Sequence, residues 1–510
     1  MSCHEMLRGH LYLRGRRILI VGLAREGLAL ARYLSNHGAR VVVTDVKPVT
    51  AFGDEITSLS QAGVHLALGG HVPGLLDDCE IVFVSPGVPF DSSFLNLARS
   101  KGVPLSTESR LFCHLCPAPV AAITGSSGKT TTTTLVGEMA RADGKQVWVG
   151  GNIGQPLIEN VDSIVADDWV IMELSSFQLE YFHPSANSHV LEGGGDRAQQ
   201  VDPMWLPILC GWSPRVGAVL NVTPNHLDRH PSMEAYTHAK RALVQYRGPG
   251  DVAVMGLDSP VTRQLGDNTA GRVRWFSRYT SVADGAYLDG AGDQAWVTLR
   301  CPPGLAQEGQ LQEAVCRVAD IRLRGEHNVS NVLAACAIAQ SIGVSIPAMR
   351  RVITSFSGVP HRLELVGEVR GVHYYNDSIA TSPERLEAAL RAFQEPIVLL
   401  AGGRDKHLPW AGAAMLMLER TRHVILFGEA GDLIARRVSE AVHSVNPAFP
   451  PGVYRCSGLE EAVVLSASLA EVGDIVLLSP GCTSFDQFRD FTERGERFGQ
   501  LVQDLANQSL

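Results

Sequence analysis

At 510 residues, 45% hydrophobic and 19% charged, the chain is too long for a single core and too apolar to be disordered, and about three domains is the expectation. A net charge of −9 disfavours non-specific nucleic-acid binding, and no apolar run approaches the roughly 20 residues that span a bilayer. Ten cysteines lie scattered, the one close pair being Cys113 and Cys116. Without a second pair they read as reduced thiols near a domain boundary rather than half a zinc or redox site, and the chain reads as cytoplasmic.

Residues 1 to about 118 begin with a charged N-terminus that runs into a strand rather than a signal-peptide core. Arg17 to Gly22 is a buried strand ending in glycine, followed by a helix through Leu34 and a second strand, Val41 to Asp45. This opens a doubly wound α/β domain. Ala24 stands where a dinucleotide fingerprint needs its second glycine, so a dinucleotide is disfavoured. Another nucleotide fits, with Asp45 or Lys47 toward base or ribose and the Ser85-Pro86-Gly87 turn at a third strand's carboxyl end.

Residues 119 to 357 carry the sharpest signal. An apolar strand ending at Ile123 and Thr124 meets Gly125-Ser126-Ser127-Gly128-Lys129-Thr130-Thr131, where a helix begins. Strand, glycine turn and helix start bring amides and a helix dipole to one point, which favours phosphate. Lys129 would reach the β/γ-phosphates of ATP and Thr130 would ligate Mg²⁺. The strand Val170 to Glu173 ends on a carboxylate suited to the same metal, or to capping the next helix. A later strand from Val219 leads to His226, a candidate for a second metal site. Lys240, on a helix from Met233 to Tyr246, reads by composition as a surface lysine. Residues 186 to 215 read as an insertion, either a surface loop or a cover for the cleft, and 281 to 316 as irregular surface excursions. Residues 358 to 510 alternate strands and helix-length segments, a further doubly wound sheet.

Five motifs follow in fixed order: Thr124-Gly-Ser-Ser-Gly-Lys-Thr-Thr131, Gly151-Asn152-Ile-Gly154, Glu173-Leu-Ser-Ser-Phe-Gln178, Asn221-Val-Thr-Pro-Asn-His-Leu-Asp228 and His327-Asn328-Val-Ser-Asn331. Together they resemble the Mur ligase family of ATP-dependent amide-forming enzymes over nearly the whole chain. The resemblance implies three α/β domains: a Rossmann-like one (1–118) for a UDP-sugar, a central ATPase-type one (119–357), and a Rossmann-like one (358–510) for an amino acid. It implies ATP, UDP-N-acetylmuramoyl-L-alanine and D-glutamate as substrates and two Mg²⁺ ions. Lys240 matches the family lysine carbamylated by CO₂, and Glu173, His226, Lys129 and Arg362 complete the catalytic set. Asn328 and Asn331 match adenine-side contacts, Arg362 a phosphate contact and Asp377 a ribose-side acid. Arg25, Glu26, Asp45, Lys47, Ser85, Gly87, Asn152, Ser175 and Gln178 fall toward the UDP-sugar, and Thr381, Lys406, Ser484 and Phe491 toward the amino acid. The family's lysine after Asn376-Asp-Ser378 is here Ile379, leaving Lys406 and Arg404 as cations. A ligase for another amino acid such as L-glutamate, and a non-catalytic nucleotide binder, are the alternatives; the chain reads as a monomer.

Overall fold

The computed structural model of the chain describes residues 13–192, 201–225, 229–302, 311–323, 325–406 and 408–508. The first sheet is built on β1 (Arg17–Val21), whose last four residues are buried on both faces, as a central parallel strand requires. With β2 (Arg40–Asp45), β3 (His65–Leu68), β4 (Ile81–Val84) and β5 (Leu105–Ser106) it forms a parallel sheet in the order β3-β2-β1-β4-β5. The winding reverses between β1 and β4. Val21 is level with both Thr44 and Val84, so Gly22, Asp45 and Ser85 meet at that switch point.

The second sheet comprises β6 (Val120–Thr124), β7 (Val147–Gly151), β8 (Trp169–Glu173), β9 (Val216–Val219), β10 (Val252–Gly256), β11 (Arg272–Ser277), β12 (Gly285–Asp289), β13 (Trp296–Arg300) and β14 (Gln312–Arg317). Its order is β14-β13-β12-β11-β10-β9-β6-β8-β7. The last three strands correct the expectation that 281–316 is irregular. Ala286, Tyr287, Val297, Leu299 and Val315 are buried, but polar turns separate the short strands and outweigh them in composition. The third sheet, in the order β15-β16-β20-β17-β18-β19, contains β15 (Glu364–Val369), β16 (Val372–Asn376), β17 (Ile397–Gly402), β18 (Thr421–Phe427), β19 (Gly452–Arg455) and β20 (Ile475–Gly481). Alternate residues feed two cores: Leu399, Leu426 and Leu477 on one face, Val398, Ile425 and Val476 on the other.

The chain divides into two compact units, Met1–Ile321 with His327–Ser355, and Arg322–Glu326 with Phe356–Leu510. The first two sheets thus share a unit, and one hydrophobic cluster runs from Ile20 and Phe83 through Ala122 and Met172 to Met255. The helices used below are α1 (Arg25–Asn36), α2 (Glu108–Leu115), α3 (Lys129–Ala142), α4 (Ser176–Leu179), α5 (Met233–Gln245), α6 (Glu326–Ser341) and α7 (Phe491–Gln508).

The described part of the 186–215 segment is packed rather than free: most of it docks on the first sheet, and at its end the Ser213 hydroxyl donates to the Ala242 carbonyl of α5 at 2.9 Å. The Asn187 side chain accepts from the Leu105 amide and donates to its carbonyl (2.8 and 2.9 Å), covering the open edge of β5. Asp202 pairs with Arg16 at 2.6 Å, and the buried Arg110 of α2 donates to the carbonyls of Pro207 and Cys210. Trp205, 1% exposed, lies edge-on to Phe83 of β4. Glu192 is described, whereas the glycine run Gly193 to Gly195 and Asp196 lie outside the described residues. Cys113 and Cys116 are both buried in the same cluster.

Truncating Trp205 to Ala is expected to lower the unfolding free energy by about 3–5 kcal/mol in denaturant titrations of the full chain. Phe449→Ala, at a side chain 92% exposed, should stay within about 0.5 kcal/mol of wild type. Equal effects would place Trp205 outside the core.

Candidate active site

The phosphate loop follows β6 at the centre of its sheet. β6 pairs with β8 and β9 in a register that sets Ile123 level with Glu173 and Thr124 level with Val219, so the loop emerges between Glu173 and Asn221. Asn221 clasps it: its side chain accepts from the Ser127 amide at 2.9 Å and donates to the Ser127 carbonyl at 3.2 Å. The Ser126 hydroxyl bonds Thr223 and, at 3.0 Å, the hydroxyl of Tyr236. Gly128 holds a left-handed conformation (φ +80°) at the cap of α3, and a Cβ there would stand 2.2 Å from Asn331 Oδ1. Asn331 donates in turn to Asn328 (2.9 Å), both on α6. Thr130 is half-buried and Thr131 buried in the first turn of α3.

Two lysine amines converge on one atom. Lys129 Nζ and Lys240 Nζ each donate to the Gly125 carbonyl at 3.0 Å, and Lys240 also reaches Thr124 Oγ1. Lys240 is 1% exposed, its amine 4.5 Å from the centre of the Tyr236 ring, which corrects the surface reading. Burial, and then repulsion from Lys129, push its pKa well below the usual lysine range, against the pull of Glu173. Glu173 is buried: Oε1 accepts from Asn152 at 2.8 Å, and Oε2 has no hydrogen-bond partner among the described residues. Gly151 (φ +93°) lets β7 approach so closely that a Cβ would stand 2.3 Å from the Glu173 carbonyl. Glu173 does not cap α4; Ser175 does, in a reciprocal capping box with Gln178. His226 lies outside the described residues, and among the described residues no three His, Cys, Asp or Glu side chains cluster.

At the first sheet's switch point, Asp45 is engaged by backbone, accepting from the amides of Leu23 (2.7 Å) and Lys47 (2.9 Å). The Lys47 side chain is exposed. Ser85 donates to the Gly22 carbonyl at 2.7 Å, and Gly87 is exposed in the turn beyond it. Two residues of the β1–α1 turn bridge to the second sheet: Arg25 donates to the Gly154 carbonyl (2.7 Å), and Gln178 donates to Glu26 (2.8 Å). Burial pushes the Glu26 carboxyl up to about 7.

The second unit has its own polar cluster at the carboxyl ends of β16 and β20. Asp377 is buried, accepts from the Leu363 amide and the Ser479 hydroxyl, and is pushed up to about 7 by desolvation. The Arg362 amide donates to the Val359 carbonyl in the turn between the positive-φ residues His361 and Leu363. Lys406 Nζ donates to Thr381 Oγ1 at 3.3 Å, and Ser484 is buried beside Cys482. The Phe491 carbonyl accepts from Ser378 at 2.7 Å. Arg404, exposed, makes a bidentate pair with Glu429 (2.9 Å twice). Beside the position of the absent lysine, Arg385 donates to the Ile379 carbonyl, and Lys406 also lies near Arg385.

The comparisons bear on this arrangement. Family profiles match along the chain: "Mur ligase MurD-like, N-terminal domain" over residues 16–107, "Mur ligase middle domain" over 123–339 and "Mur ligase, glutamate ligase domain" over 361–482. The UDP-N-acetylmuramoylalanine–D-glutamate ligase of Symbiobacterium thermophilum is 39% identical over 96% of this chain and 98% of its own length. The chain belongs to the Mur ligase family. The enzyme of the same name from Geobacter metallireducens is 37% identical over 97% of this Mur ligase and 98% of its own chain. Two solved structures share the fold: the UDP-N-acetylmuramate–alanine ligase MurC of Thermotoga maritima (TM-score 0.53, 18% identity, 96% of this chain and 99% of that one) and MurF of Acinetobacter baumannii (0.52, 14%, 98% and 92%).

Sequence reasoning passed over three residues of this Mur ligase. Tyr236, Ala239, Lys240 and Leu243 form a buried i, i+3, i+4, i+7 stripe on α5, and that periodicity was the available signal for both Tyr236 and Lys240. Arg494 of α7 is fully buried and donates to Ser378 and the Cys482 carbonyl, fixing the loop that carries Asp377. Arg229 donates to three carbonyls of the first sheet. Contacts so distant in sequence leave no local pattern.

Gly128→Ala should weaken ATP binding by about tenfold or more, since it forces both a positive φ on alanine and a shift of Asn331. Calorimetric titration with ATP checks this. An unchanged dissociation constant would show that the loop holds no phosphate.

Proposed function

We propose that this Mur ligase joins D-glutamate to UDP-N-acetylmuramoyl-L-alanine at the expense of ATP, in the cytoplasmic assembly of peptidoglycan precursors. The observation that carries the reading is the meeting of Lys129, Lys240 and Glu173 at the phosphate loop, in a chain 39% identical to a D-glutamate ligase of that name. We divide the chain at about 118 and 357 into UDP-sugar, ATP and amino-acid domains and take the working form to be a monomer.

In this reading the substrate carboxylate attacks the γ-phosphate of ATP, giving ADP and an acyl phosphate, and the glutamate amine then displaces phosphate to form the amide. Phosphoryl transfer of this kind rests on positioning and charge neutralisation. Lys129 lies over the loop where the phosphates would sit, and Arg362 supplies a further cation. Asn328 and Asn331 face the adenine and Asp377 the ribose. The UDP-sugar is held by Arg25, Glu26, Asp45, Lys47, Ser85, Gly87, Asn152, Ser175 and Gln178, and the amino acid by Thr381, Lys406, Ser484 and Phe491.

The site suits Mg²⁺: Glu173 presents a buried oxygen without a hydrogen-bond partner among the described residues, close enough to Lys240 to influence its ionisation. Thr130, Glu173, His226 and Lys240 would hold two ions, which when bound neutralise charge on the phosphates. A protonated Lys240 would repel them. A neutral amine reacts with CO₂, forming a C–N bond and releasing a proton, so that a carbamate anion replaces the neutral amine.

Phosphate release should depend on ATP, Mg²⁺, UDP-N-acetylmuramoyl-L-alanine and D-glutamate together. L-Glutamate in its place tests the consequence of Ile379, and preference for it would overturn the specificity. Lys240→Ala should cut turnover by roughly a hundredfold or more, with partial recovery in short-chain carboxylic acids. Nucleotide binding without release in any mixture would leave a non-catalytic protein.

A further inference from the structure

The geometry assigns Arg229 as a positioning residue for the nucleotide-sugar, an inference that rests on the function proposed above. Arg229 follows β9 in sequence, yet its guanidinium donates to the carbonyls of Pro86 (3.3 Å), Gly87 (3.3 Å) and Val88 (3.2 Å), all in the turn after β4. Three acceptors in one turn occupy the rigid fork of an arginine in a way that a lysine ammonium cannot reproduce. Among the described residues no carboxylate pairs with it; its other contact is the ring of Phe177, 4.6 Å from the guanidinium carbon.

Phe177 belongs to α4, and that short helix is held from several sides. The His230 ring stacks on Phe177 at 5.4 Å with planes 13° apart, and its Nε2 bonds the Ser176 hydroxyl at 2.9 Å. His230 Nδ1 lies 3.1 Å from a carboxylate oxygen of Glu180 but outside hydrogen-bond geometry, so the imidazole is held through Nε2 and its stacking on Phe177. At the helix start, Gln178 cap-bonds Ser175 and donates to Glu26 of the β1–α1 turn. One helix thus grips both turns of the first sheet's switch point, the β1 turn through Gln178 and the β4 turn through Phe177 and Arg229. In a doubly wound sheet these are the turns that flank a ligand. Among the described residues Arg229 meets carbonyls and an aromatic ring and no carboxylate, and it acts through the backbone of 86–88 by setting that turn's distance from Ser175 and Gln178.

The test is Arg229→Met, with Arg229→Lys and Phe177→Leu beside it, in the full chain with thermal midpoints as a folding control. Calorimetric binding of UDP-N-acetylmuramoyl-L-alanine should weaken about tenfold or more in Arg229→Met, because losing all three charge-assisted bonds frees the 86–88 turn from its place. It should weaken less in Arg229→Lys, and KM for ATP and kcat at saturation should stay near wild type. Phe177→Leu, which keeps the arginine, should show the same split should Arg229→Met fail to fold. Unchanged nucleotide-sugar binding, an equal rise in KM for ATP, or a fall in kcat at constant affinity would each overturn the assignment. A wild-type chain that binds the nucleotide-sugar but releases no phosphate with D-glutamate sinks the proposed reaction while the binding comparison still decides Arg229. One that does not bind it overturns both.

Discussion

The rest of the active site depends on one buried amine. Lys240 Nζ sits in the core with Gly125 O and Thr124 Oγ1 as hydrogen-bond partners and the Tyr236 ring beneath it. A fully buried ammonium is costly unless paired, and the nearest cation, Lys129, shares the same carbonyl. Burial and Lys129 lower the pKa of this amine well below the usual lysine range, against the pull of Glu173, whose Oε2 is unsatisfied among the described residues. The loop's own shape follows from the same contacts, because Gly125 is fixed by both lysines and Ser126 by Tyr236.

Around this centre the first unit is built to hold two turns in register with the loop. β8 ends at Glu173 and leads directly into α4, so metal-side and sugar-side residues are separated by only a few positions in the chain. Arg25, Gln178 and Arg229 cross between the sheets, and the segment carrying Asn187, Asp202 and Trp205 docks on the first sheet near its β5 edge. Apolar packing supplies the holding energy, and the polar crossings set the register. The third sheet answers a different need: its buried Arg494 and Asp377 fix a loop, and its Lys406 stands exposed beside Thr381.

What the sequence made legible follows from how far apart the interacting residues are. The phosphate loop, Glu173 and the strand ends of a doubly wound fold are local patterns, and each lies where the pattern puts it. Lys240 was legible only through the stripe it shares with Tyr236, Ala239 and Leu243, because its composition is that of any surface lysine. The docking of Trp205 was not legible: a tryptophan in a polar segment shows no partner until Phe83 is beside it. Short strands such as β12 to β14 vanish among polar turns, and Arg404 and Glu429 pair across a separation that no local pattern joins. Arg229 and Arg494 act across distances that no window of sequence spans.

The central claim is that Lys240 is held as a neutral amine and becomes a carbamate. Carbon-13 NMR of the full chain equilibrated with ¹³C-bicarbonate tests it directly. The account predicts a carbamate resonance in wild type that is absent from Lys240→Arg and rises and falls with ligase activity as CO₂ is supplied or removed. A fully active wild type without that resonance, or a resonance that persists when Lys240 is replaced, would contradict it.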